Sequence, residues 1–161
     1  MKCDPKVLAD LNAASGLLAT IAEQWRINGY MLRNLGLKSL GKKFYAEDSW
    51  HQDIEHHLNT FIRQILNFEG TPQYSIGILS AAGTLVELLG TACATAQAAF
   101  DALCVMRRNA WNIRADAVPD EYEHAIQEVQ HQVEKMERWL RIMSTTEGIG
   151  AKDFVGALVE V

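Results

Sequence analysis

Apolar residues recur at intervals of three and four along long stretches of this chain, and almost nothing interrupts them. In the first stretch they are Leu8, Leu11, Ala14, Leu18, Ile21 and Trp25. In the second they are Trp50, Ile54, Phe61, Ile65 and Phe68, with His57 on the same stripe. The last stretch carries Tyr122, Ile126, Val129, Val133, Met136, Leu140 and Met143. Between these two lies an alanine-rich run over residues 91–99, whose small side chains permit close backbone approach. This spacing places one apolar face on each of four helices and leaves a β-sheet no alternating pattern to use.

Breakers and caps set the limits. Asp4 before Pro5 is an N-cap with a first-turn proline, and Gly36 is a stop. Gly70, Thr71 and Pro72 end the second helix, and Thr84-Leu85-Val86-Glu87 is a capping box opening the third. Asp120 and Glu121 follow Pro119 at the start of the fourth, and Gly148 and Gly150 break the chain again. The expected helices run over about 5–35, 40–69, 84–113 and 120–146, with a short one over 151–160. The segment between the second and third is too long for a tight hairpin, so it is expected to cross the bundle. The fold expected is all-α, a single four-helix-bundle domain over residues 1–161.

Net charge is −5, with no basic block, so phosphate backbones would be repelled and nucleic acid is not an expected partner. No apolar run reaches the roughly 18 residues that would span a bilayer, and MKCDPKVLAD lacks an apolar signal core. No membrane association is expected, and the expected location is the cytoplasm. Cys93 and Cys104 are eleven residues apart on one expected helix, which separates them by about 16 Å. That exceeds disulfide reach, so with Cys3 they read as reduced thiols. No phosphate-binding glycine loop, Cys-x-x-Cys pair or nucleophile elbow is present.

Three segments, MKCDPKVLADLN, MLRNLGLKSL and IRQILNFEGTP, resemble the opening helix, first turn and second-helix end of bacterioferritins. The pair Gln24-Trp25 also sits where that family has Gln-Tyr. The resemblance implies a ferritin-like bundle with a long crossover and a short fifth helix. It implies self-association as a dimer and a 24-subunit cage, with co-assembly alongside an active bacterioferritin subunit as a further option.

Bacterioferritins bind two irons through four glutamates and two histidines, with a Glu-x-x-His on each of two helices. Carried over position by position, the first-helix glutamate falls on Leu18. In the second helix the glutamate position is Ile54 and the histidine position is His57. A one-residue shift would offer Asp53 and His56 instead. The third-helix glutamate falls on Ala96, within a carboxylate-free run. In the fourth helix the apolar stripe puts Val129 and Gln132 at the ligand positions. Glu128 and His131 have the right types and spacing and either flank the core or face the metal. The candidate metal residues are therefore His57, Glu128 and His131, and iron is the implied metal. The family's haem methionine falls on Glu55, a poor substitute for a thioether, so no haem is expected.

This reading gives a cage subunit for iron storage or cage assembly, with a degenerate iron-oxidising centre. Two alternatives stay open. One is an iron(II) oxidase with a rearranged site drawing on His57, Glu128, His131 and Glu23 or Asp53. The other is a non-catalytic helical scaffold.

Overall fold

The computed structural model describes residues 4–45, 50–79, 84–113 and 118–145. These form α1 (Pro5–Asn34), α2 (Lys38–Tyr45), α3 (Trp50–Asn67), α4 (Leu85–Asn112) and α5 (Val118–Thr145), with no strand among them. The second helix expected over 40–69 is thus described as α2 and α3, on either side of residues 46–49. The short helix expected over 151–160 lies outside the described residues.

The helix ends follow from local chemistry. Asp4 Oδ1 accepts from the Lys6 N–H at 2.8 Å, and Thr84 Oγ1 accepts from the Glu87 N–H at 3.1 Å. Each satisfies a first-turn donor that the helix leaves orphaned. At the end of α1, Leu37 N–H reaches the Leu32 carbonyl and Gly36 N–H reaches Arg33, both at 2.9 Å. Gly36 has φ +87°, the left-handed turn that this motif requires. The same pattern ends α3, where Gly70 N–H bonds the Ile65 carbonyl at 2.9 Å. There the left-handed residue is Glu69, with φ 59°, not the glycine beside it. Pro119 stands in the first turn of α5, which begins two residues earlier than expected because its first-turn donors need no intrahelical partner.

Extensive packing occurs between α1 and α3, α3 and α5, α5 and α4, and α4 and α1. Those four seams close a square, with α2 continuing the α3 arm against α1. Trp25 Nε1 donates to the Ala92 carbonyl, Asn28 Nδ2 to Leu88, and Asn109 Nδ2 to Asp10. Residue numbers rise on α1 as they fall on α4, so the two run antiparallel. His51 against Ala22, and Gly70 against Leu8, give the same result for α3. Helices α3 and α4 are therefore parallel, and the chain between them must travel the bundle's length.

It does so along α1. Gln73 N–H donates to Asn12 Oδ1 at 2.6 Å, and Gly77 N–H to Thr20 Oγ1 at 2.8 Å. Eight helical residues rise about 12 Å and four extended ones about 13 Å, so the two segments climb at one pace. Between these bonds a Cβ at Gly16 would stand 2.9 Å from the Ser75 carbonyl oxygen, which fixes glycine there.

The stripes face inward as expected. Leu11, Leu18, Ile21, Trp25, Ile54, Phe61, Ile65, Tyr122, Val129 and Met136 are buried in one cluster. Trp25 meets Phe44 edge-on, and Phe61 lies 5.0 Å from Tyr122 between ring centroids. By length and mean hydropathy (1.4 over its most apolar window) α4 is long and apolar enough to cross a membrane. In the bundle its inward face, Leu88, Leu89, Ala92, Ala96, Ala99 and Leu103, is core. The side chains of Cys93 and Cys104 on this helix are free thiols, and burial pushes Cys93 upward from its ordinary value.

Candidate metal centre

At the positions that the resemblance marks for ligands, four of the six side chains are apolar. Leu18, Ile54, Ala96 and Val129 are all 0% exposed and belong to the shared core cluster. An aliphatic side chain offers no lone pair, and its neighbours fill the space around it. The polar exceptions are His57 on α3 and Gln132 on α5.

His57 is half-buried. Burial pushes its pKa below the ordinary histidine value, and the Glu128 carboxylate opposes that shift. The rings of His56 and His124 press it lower, and Glu121 raises it. His57 thus looks across to α5, and Glu128 is the strongest favourable charge that reaches it. The α3–α5 register explains why. Phe61 packs on Tyr122, and antiparallel helices then set His57, one turn back, level with Ile126.

Of the other candidates, Glu128 is half-buried at the edge of the core, and His131 is exposed. The α5 stripe decides this, because Val129 and Gln132 occupy the inward positions. The three candidates His57, Glu128 and His131 do not converge. Among the described residues, no group of three or more histidines, cysteines or carboxylates is placed to hold a metal ion. Asp53 and His56, the shifted pair, are exposed on α3, while Ile54 is buried.

Gln132 is the residue that spacing alone left undeveloped. It is fully buried, and its Nε2 donates to Glu128 Oε1 at 2.7 Å. Its own Oε1 is buried with no hydrogen-bond partner. The four-residue separation of Glu128 and Gln132 was the available signal, since such residues share a helix face.

Glu55, at the position the resemblance gives to a haem methionine, is half-exposed. Its carboxylate faces His51 Nε2 at 3.1 Å. The Nδ1 of that buried ring donates to the Ala22 carbonyl at 2.8 Å, joining α3 to α1.

The crossover, the antiparallel pairs and the closed square of seams define a ferritin-like four-helix bundle. No protein-family profile and no curated protein sequence matches the chain. Among solved structures it is similar to Rhodobacter capsulatus bacterioferritin, with a TM-score of 0.87 and 22% identity over 96% of this chain and 94% of that one. That protein was described with a metal-free dinuclear site and a haem iron in a crystallographic special position.

Proposed function

We propose that this chain is a bacterioferritin-like cage subunit that serves iron storage or cage assembly without a complete iron-oxidising centre of its own. The observation that carries this is the filling of Leu18, Ile54, Ala96 and Val129 into the core at 0% exposure, in a bundle that matches a bacterioferritin over almost its full length. A dinuclear iron centre needs several carboxylates to offset its charge inside a low-dielectric bundle. These residues do not fit that group. Glu55, half-exposed and facing His51 Nε2 at 3.1 Å, does not fit a haem axial ligand either. Iron is then cargo of the assembled shell, which forms in the cytoplasm as dimers that build toward 24 subunits. The shell holds this chain alone or together with an active bacterioferritin subunit.

The test joins native mass with aerobic iron(II) oxidation, beside an active bacterioferritin as control. A shell of many subunits with negligible oxidation is the expected pair of results. A stable monomer of 18.0 kDa would reject the cage. Fast turnover abolished by His57→Ala or His131→Ala would replace the degenerate centre with a rearranged one.

A further inference from the structure

The C-terminal half of α5 sorts its charges by face. Glu134 and Glu137 line the groove toward α4, beside Gln97 and Phe100, and Glu134 accepts from Gln130 Nε2 at 3.3 Å. Lys135 stands one helical turn before Trp139 and three residues before Arg138. Residues three and four apart on a helix are surface neighbours, so Lys135 adjoins both of them.

Helix α2 brings another cation to the same place. Lys43 Nζ stands over the Trp139 ring, 5.9 Å from its centroid. Trp139 is fully buried, so the indole is a fixed floor that holds the ammonium in position. Lys43 and Lys135 are half-buried, and Arg138 is exposed. Neither Lys43 nor Arg138 forms an ion pair with another described residue. Burial holds the Lys135 pKa below the ordinary lysine value, and the charges of Lys43 and then Arg138 push it further down. Three positive charges thus gather where α2 meets α5, in a chain whose net charge is −5. Like charges brought together on half-buried stems repel one another, and alternation with the glutamates of α5 would have avoided this. An anion seated among them turns the repulsion into attraction.

We propose that Lys43, Lys135 and Arg138 form a binding site for a tetrahedral oxyanion of the phosphate class where α2 meets α5. Two ammonium groups with three N–H donors each, and one guanidinium fork, suit the oxygens and the double negative charge of phosphate. The site uses no residue at a position that the bacterioferritin resemblance gives to iron or haem. It also stands whether or not the chain builds a shell.

Isothermal titration of inorganic phosphate into the full chain, with about 0.15 M chloride present to screen diffuse surface charge, tests this. One phosphate per chain is expected, weakened at least about tenfold by each of Lys43→Gln, Lys135→Gln and Arg138→Gln. The paired change Lys38→Gln with Lys42→Gln removes two exposed lysines of α2 and is expected to leave binding unaltered. Phosphate is also expected to move the titration of Lys135 upward, read by NMR at its side-chain carbon next to the amine, because a bound anion favours the charged ammonium. Tighter binding of adenosine monophosphate with the same pattern of variants would support the site and place its phosphate on a larger molecule. Loss of binding in the Lys38 and Lys42 pair equal to that in Lys135→Gln would assign the phosphate to diffuse surface charge and overturn the proposal. No binding at millimolar phosphate, or a Lys135 titration that phosphate leaves unmoved, would overturn it equally.

Discussion

Gly29 and Gly41 meet backbone to backbone where α2 crosses α1. A Cβ on Gly41 would stand 2.6 Å from the Gly29 carbonyl oxygen, and one on Gly29 would stand 2.9 Å from the Gly41 oxygen. This contact sets how closely the turn at Gly36 folds α2 against α1. Phe44 can then reach Trp25, at 6.4 Å between ring centroids.

The obstructing atom at Gly41 is main chain, which no rotamer change can move. Gly41→Ala is therefore expected to destabilise the fold by about 1–3 kcal/mol despite alanine's better helix propensity. Urea denaturation midpoints of the two proteins measure it. An unchanged or raised midpoint would show that α2 is free to slide outward.

Gly36 is the opposite case, with no other atom within 4 Å of a Cβ but φ at +87°. Gly36→Ala is expected to cost about 1–2 kcal/mol through backbone conformation alone. Gly36→Asn, which tolerates the left-handed region better, should recover part of that loss. Thermal melts of the three proteins give the order.

His57 makes stability depend on pH. Burial holds its folded-state pKa below the ordinary value near 6.5, so the unfolded chain binds the proton more readily. Protons bound by the unfolded state then exceed those bound by the folded state, and stability falls as pH drops below about 6.5. The loss ends once the pH is below the folded pKa. The groups acting on the ring are Glu128, His56, His124 and Glu121. His57→Gln is expected to flatten the decline between neutral pH and about pH 5, read as denaturation midpoints across that range. A steeper decline in the variant would contradict the sign.

Returning a carboxylate to the core tests how firmly it is closed. Ile54→Glu places an ionisable group at a fully buried position in the same apolar cluster as Val129 and Leu18, whose side chains offer no hydrogen bond. A loss of about 3 kcal/mol or more at neutral pH is expected, shrinking as the pH falls and the carboxyl is protonated. Iron(II) is not expected to restore it while Leu18, Ala96 and Val129 remain. Chemical denaturation with and without iron(II), under anaerobic conditions, decides this.

The parts legible in the sequence were those governed by neighbours along the chain. Asp4, Thr84 and Gly36 acted as caps and a stop because hydrogen bonds within four residues decide such roles. The stripes through Leu18, Ile54 and Val129 were legible because a helix repeats every 3.6 residues. For Glu128 and His131 the period left flank or interior open, and the structure buries Gln132 and exposes His131. Glu69 was less legible, because a left-handed residue before Gly70 is chosen by the bonds that close the helix end, and glycine beside it hides the choice.

What the sequence by itself determined is the four amphipathic helices, the need for a crossover and the apolar nature of Leu18, Ile54, Ala96 and Val129. Only the tertiary structure decided which groups meet across helices: Gly29 with Gly41, Gln73 with Asn12, and His57 within the field of Glu128. It also showed that Gln132 spends its amide nitrogen on Glu128 and leaves its oxygen buried. The physical reason is range. Periodicity fixes which face of a helix turns inward, whereas the partner of a buried polar atom depends on the register between helices, which packing alone sets.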